Sequence, residues 1–181
     1  MTEKNLKKAD KDVMTRLVAG LKSFLLLSHS EKETAQIIET TQLYVSLRFL
    51  QCGNLEKRLK GLNDIRTMVE RVVQVNKNSS KRKYGIYEEE ESKLPPSEFL
   101  TPDTLCDWLH ENRVLEIILG GNNHIEIVKR CGPILKFMAV FSNGKFDAQT
   151  VSLVWKCQMG KHEEMVRTVY NLIQEILPFL N

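Results

Sequence analysis

Long apolar runs are missing from this chain of 181 residues. A stretch such as FLLL at Phe24 to Leu27 stops after four residues, far short of the roughly 20 needed to cross a bilayer as a helix. The opening MTEKNLKKADKD lacks the apolar centre of a secretory signal. An excess of one charge is missing too. Lys and Arg number 26 against 23 Asp and Glu, a net charge of +3, and the signs are mixed almost everywhere. Nucleic-acid binders concentrate a basic face, so neither nucleic acid nor membrane is an expected partner. Cysteine pairs at metal or disulfide spacing are also missing. Cys52, Cys106, Cys131 and Cys157 stand alone inside helical patterns, which fits reduced thiols in the cytoplasm or nucleus.

What remains is 42% hydrophobic and 27% charged, enough for one compact domain or a short run of stacked repeats. The apolar residues follow helical spacing. Val13, Met14, Leu17, Val18, Leu21, Phe24 and Leu25 predict a first helix with a broad buried stripe. Ser30 and Glu33 form a capping box for a second, from about Glu31 to Gln51, burying Ile37, Ile38, Val45 and Leu47 or Phe49. Asn54 caps a third, with Leu55, Leu59, Leu62, Ile65, Val69 and Val72 on one face. Gly61 inside it weakens the helix by about 1 kcal/mol relative to Ala, which implies close approach of a neighbouring helix.

Periodicity stops at residues 77–98, where a basic cluster (KRK, 81–83), an acidic run (EEEE, 88–91), Gly85 and two adjacent prolines stand. This composition predicts a mobile, solvated loop, with Tyr84, Ile86 and Tyr87 as a conceivable docking element. Helical patterning returns at Thr101, an N-cap followed by Pro102 at the first helical position, with Leu105, Trp108 and Leu109 inward. RVLEIIL at 113–119 reads as a short buried helix and GGNN at 120–123 as a turn. A long helix over His124 to Phe141 is expected to kink or break at Pro133. Asp147 caps a helix containing Val151, Val154 and Trp155, with Trp155 in the core, ended by Gly160. A last helix, Lys161 to Leu177, buries Met165, Val166, Val169, Tyr170, Ile173 and Ile176 and stops at Pro178.

The expected fold is all-α, with about seven helices. A globular bundle and a stack of helical hairpins both fit. Hairpins of about forty residues favour an armadillo- or HEAT-like stack, an α-solenoid segment. The expected organisation is a flexible N-terminus over 1–9, helical repeats over 10–76 and 99–181, and the charged loop 77–98 between them.

Two constellations resemble chemistry. WKCQMGKHEEMV at 155–166 holds Cys157, His162 and two glutamates. A zinc-protease helix needs a second histidine four residues after the first, and Val166 stands there instead. No second Cys–His pair lies near enough in sequence to complete four ligands. Helix-turn-helix chemistry accounts for each residue: Glu163 and Glu164 favour the positive start of a helix. Cys106 and His110 are four apart on one helix, the spacing of a thiol–imidazole pair, but a nucleophile also needs a group to orient its base. A structural cysteine beside a partly exposed histidine is the favoured reading. GGNN lacks the lysine and strand of a phosphate loop, and KRK is offset by EEEE. No catalytic, metal or cofactor residue is assigned, and no cofactor is expected.

LRFLQCGNLEKRLKGLNDIRTMVERV, LCDWLHENRVLEIIL, HIEIVKRCGPILKFM and VSLVWKCQMGKHEEMVRTVYNLIQEI resemble, in order and with similar gaps, consecutive blocks of the very large ubiquitin-specific proteases related to fat facets. The resemblance runs from about Thr41 to Leu177. Its most distinctive part is the spacing of Trp155, Gly160, Lys161, His162 and Glu163. It points to the helical-repeat region outside that family's catalytic domain. The catalytic domain carries a Gly-Asn-Thr-Cys box and a later histidine box. Neither is present here, and Cys52 precedes its Gly-Asn. The resemblance implies a non-catalytic scaffold segment of a deubiquitinating enzyme. Its partner would be a protein or substrate segment, among ubiquitin-pathway proteins. The competing readings are a structural spacer between domains and a self-standing thiol enzyme using Cys106 with His110 or His162.

Overall fold

The computed structural model describes residues 11–77, 95–120, 124–141 and 146–179. Among these the chain is all-α, without a strand. Helix α1 spans Lys11–Leu25, α2 Glu31–Leu50, α3 Leu55–Lys77, α4 Pro102–Glu111 and α5 Val114–Leu119. Then follow α6 (Ile125–Lys129), α7 (Gly132–Phe141), α8 (Ala148–Lys156) and α9 (Glu163–Ile176), with a 3-10 turn over Leu177–Phe179. The expected N-terminal segment 1–9, most of the loop 77–98 and most of the turn at 120–123 lie outside the described residues.

Local chemistry places the helix starts. The Ser30 hydroxyl accepts from the Glu33 amide at 3.3 Å, and Glu33 returns the bond by accepting from the Ser30 amide at 2.9 Å. That bond from the Ser30 backbone holds the Glu33 carboxyl below its usual value. Asn54 accepts from the Lys57 amide at 3.1 Å, and Asp147 accepts from the Thr150 amide at 2.9 Å. Thr101 and Thr104 cap α4 reciprocally, with Pro102 in its first turn. The helix expected over His124 to Phe141 is two helices. Proline lacks an N–H and its ring collides with the carbonyl four residues back. The helix therefore ends before Pro133 and restarts at Gly132, with the Ile134 and Leu135 amides both turning to the Cys131 carbonyl.

Helices α2 and α3 form the principal antiparallel pair. A Cβ built on Gly61 would stand 2.4 Å from the Ser46 carbonyl oxygen and 2.6 Å from the Leu50 nitrogen, so glycine is what lets the two backbones meet. Helix α3 then packs on α4, α6 and α7, and α9 closes over α6, α7 and α8. One continuous core results, from Leu43 and Leu50 through Leu62, Val69 and Leu109 to Ile134, Val154, Val169 and Ile176.

Sequence expectations fail at several positions on burial and at one helix end. Helix α1 does not bury its stripe: Leu17 is 61% and Phe24 67% exposed, and among its described side chains only Leu25 is buried. The reason is that α1 rests on α2 and has no described element across its outer face. Trp155 and Tyr170, expected inside, are 45% and 50% exposed and pack edge to face at 5.5 Å. Val154 takes the inward position of α8, and Trp155, about 100° further round the helix, faces out. On α2, Ile37 and Val45 are half-buried, while Leu43 and Leu50 are fully buried. Helix α8 ends at Lys156. Gly160, at φ 70°, therefore closes a turn beyond the helix instead of standing next to its cap.

Candidate interaction surface

The three N-terminal helices enclose an open groove of about 510 Å³. Leu17 and Leu21 of α1 form one wall, Val45 and Phe49 of α2 the floor, and Lys60 and Met68 of α3 the other wall. Its surface is mostly carbon, because α1 stands off α3 and leaves its own apolar stripe facing the gap. The charged groups on the α3 side are already paired. Lys60 binds Asp64 at 2.7 Å and its ammonium lies 5.2 Å from the Phe49 ring centroid.

Below the groove lies a site that sequence patterning does not reveal. Glu39, at 3% exposure, is a buried carboxylate in the middle of α2. Its Oε1 accepts from Arg71 Nη2 at 3.1 Å and the Glu98 amide at 3.1 Å. Its Oε2 accepts from Ser97 Oγ at 2.8 Å, the Phe99 amide at 3.1 Å and the Leu100 amide at 3.0 Å. Arg71 also donates to the Pro95 and Pro96 carbonyls, at 2.9 and 3.3 Å. Burial pushes the Glu39 carboxyl up, but the bonds from Leu100, Ser97, Glu98 and Phe99 outweigh it and hold the pKa below its usual value. The end of the predicted mobile loop, residues 95–98, is therefore fastened to α2 and α3. The only sequence signal was a glutamate at an inward position of α2, and its partners come 32 to 61 residues later in the chain.

The sequence-derived constellations do not assemble. Cys157 is buried at the end of α8, whereas His162 is exposed at the start of α9 and makes no side-chain cap bond. Among the described residues no three His, Cys, Asp or Glu side chains are grouped to hold a metal ion. Cys106 is 1% exposed, and the His110 Nε2 atom is buried without a hydrogen-bond partner. Burial pushes the Cys131 and Cys157 thiols up. The thiolate is the reactive form, so a neutral thiol-exchange reagent should titrate one cysteine quickly in the native chain, the half-exposed Cys52, and all four only after unfolding. Rapid native labelling of Cys106 would revive the thiol-enzyme reading.

No described helix is long and apolar enough to cross a membrane. No solved structure matches the chain. It is similar to ubiquitin carboxyl-terminal hydrolase 9Y of Mus musculus, at 27% identity over 97% of this chain and 6% of the relative. Ubiquitin carboxyl-terminal hydrolase 34 of Homo sapiens is 28% identical over 82% of this chain and 4% of the relative. The probable ubiquitin carboxyl-terminal hydrolase FAF of Drosophila melanogaster is 24% identical over 81% and 5%. The chain thus spans only a small fraction of the length of these relatives. A family model described as the UBP24/USP9X/USP9Y ARM repeat matches residues 36–177, the helical body from α2 to the end of α9. The chain belongs to the UBP24/USP9X/USP9Y ARM-repeat family.

Proposed function

We propose that this chain is a non-catalytic protein-interaction and scaffold segment of ubiquitin-pathway machinery, working in the cytoplasm or nucleus. It takes a protein partner or substrate segment into the groove between α1, α2 and α3. The observation that carries the reading is that groove, open and apolar on a helical-repeat body. Helical repeats expose extended surfaces of this kind for binding, and an apolar groove between helices is the usual receptor for the apolar face of a partner helix. The relatives are named as ubiquitin carboxyl-terminal hydrolases. The chain corresponds to a few per cent of their length, so in this reading cleavage is done elsewhere in such proteins.

Two assays on the recombinant chain test it. A fluorogenic ubiquitin substrate should stay intact, and partners captured from cell lysate should be lost in a Leu17→Glu, Leu21→Glu variant that keeps its helical spectrum. Hydrolysis abolished by a single Cys→Ala change would defeat the reading. A second reading, a structural spacer, draws on the apolar side chains exposed on α1 and around Trp155, Tyr170 and Leu177, surfaces of the sort that neighbouring repeats cover. It expects capture to be indifferent to the groove variant.

A further inference from the structure

We infer that the groove between α1, α2 and α3 receives an acidic amphipathic helix, whose apolar face lies on Leu17, Leu21 and Val45 and whose flanking Asp or Glu meets Arg71. The inference rests on the interaction-module reading and names the chemistry of the partner at that same site. Two cations, Lys60 and Arg71, and one carboxylate, Asp64, are among the residues that line the groove. Lys60 and Asp64 satisfy each other at 2.7 Å. Arg71 is the cation with a donor to spare.

Two of its three nitrogens are taken up by the clasp. Nε donates to the Pro95 carbonyl, and Nη2 to Glu39 and the Pro96 carbonyl. Among the described residues Nη1 donates only to the Met68 sulfur, at 3.4 Å, and Met68 lines the groove as well. A thioether is a weak acceptor, and Nη1 carries two N–H groups. The Arg71 side chain keeps 16% of its surface exposed, so a partner atom can reach it from the groove. Glu39 does not use up this charge. Its carboxylate is 3% exposed, and it also draws on the Ser97 hydroxyl and three backbone amides. A carboxylate suits Nη1 better than a neutral acceptor, because hydrogen bonds between ionised groups are the shorter and stronger ones.

The length of the groove suits a helix. Lys60 and Arg71 stand eleven residues apart on α3, roughly 16 Å along its axis. That is the reach of about three helical turns, and a helix seated in a groove anchors through side chains at i, i+3, i+4 and i+7. Leu17 and Leu21, one turn apart on α1, are 61% and 37% exposed, and half-buried Val45 lies on α2. These apolar groups supply contact area. Arg71 sets the direction, because it stands at one end of the α3 wall and the self-satisfied Lys60–Asp64 pair at the other.

The test uses the full chain and a displayed library of peptides about fourteen residues long, with leucine fixed at helical spacing and the flanks randomised among Glu, Gln and Lys. Peptides that bind the wild type and not a Leu17→Gln, Leu21→Gln variant should carry glutamate at one flank. In the tightest of them, replacing that glutamate by glutamine should weaken binding at least fivefold, and by lysine at least tenfold. Its binding should also shift the Arg71 guanidinium NMR signals. These changes are made in the peptide, so the clasp and the fold stay intact. Lysine or no preference at the flanks, equal affinity of the glutamine peptide, or unmoved Arg71 signals would each overturn the inference. So would dimerisation that the groove variant abolishes, because a second copy of the chain would then be the occupant. If groove-dependent peptides are recovered without an acidic preference, the acidic partner falls and the interaction-module reading stands. If no groove-dependent peptide is recovered, the groove reading falls and the acidic partner with it.

Discussion

Replacing Glu39 with alanine should cost about 3–5 kcal/mol, the usual penalty for removing one member of a buried ion pair. Against a typical total of about 5–15 kcal/mol for a domain, that is enough to move the unfolding midpoint far or to abolish folding at body temperature. Five donors converge on the two carboxylate oxygens. Alanine strips the Ser97 hydroxyl and the Glu98 and Phe99 amides of this acceptor, while the Leu100 amide keeps Ser97 Oγ and Arg71 Nη2 keeps the Pro96 carbonyl. Glutamine keeps the shape but replaces one acceptor by an N–H₂ that points at other donors, so it should recover only part of the loss. Denaturant titration gives the magnitude, and hydrogen exchange at the Glu98, Phe99 and Leu100 amides shows whether the loss is local. Unchanged protection at those three amides in the alanine variant would count against the carboxylate as the fastener.

The same site sets an acid dependence. The pKa of Glu39 is lower in the folded chain than in the unfolded one. Its stabilisation is therefore complete above the unfolded glutamate range, near pH 4.3, and is lost as pH falls through the folded value. Wild-type stability should fall more steeply in acid than that of the Glu39→Gln variant, and the two curves should converge at the lowest pH.

Gly61→Ala is the second large effect, a net loss of roughly 2 kcal/mol from overpacking, with Gly61→Val worse. Alanine gains about 1 kcal/mol of helix propensity over glycine, yet its methyl would meet two backbone atoms of α2 at 2.4 and 2.6 Å. Backbone cannot rotate aside as a flexible side chain can, so α2 and α3 must separate along their whole contact. Gly20 is the control. A Cβ there meets nothing within 4 Å, and Gly20→Ala should stabilise by about 0.5–1 kcal/mol. Equal effects at the two positions would mean that the close crossing of α2 and α3 is not the cause.

These cases mark how far the sequence could be read. The caps at Ser30, Asn54, Thr101 and Asp147 were legible because each joins groups within three residues of one another. The break near Pro133 was legible because it follows from a missing N–H. The close approach at Gly61 was foreseen because a mid-helix glycine needs a reason. Glu39 was not legible, since its partners lie on α3 and after a long intervening stretch. Nor was the exposure of α1, because periodicity says which face of a helix is apolar, not whether anything is there to cover it. Trp155 shows the same limit, a large aromatic in a helix being an ordinary core residue until its neighbours are placed.

Arg71 fastens the returning strap at Pro95 to the same helix from which the preceding stretch departs. The distance between those two anchor points is set by α3 and Glu39, not by how many residues connect them. A buried clasp of this kind makes residues 95–100, the immediate neighbours of α4 in the chain, part of the α2–α3 hairpin as well, so the two helical halves are joined by polar bonds in addition to the shared core.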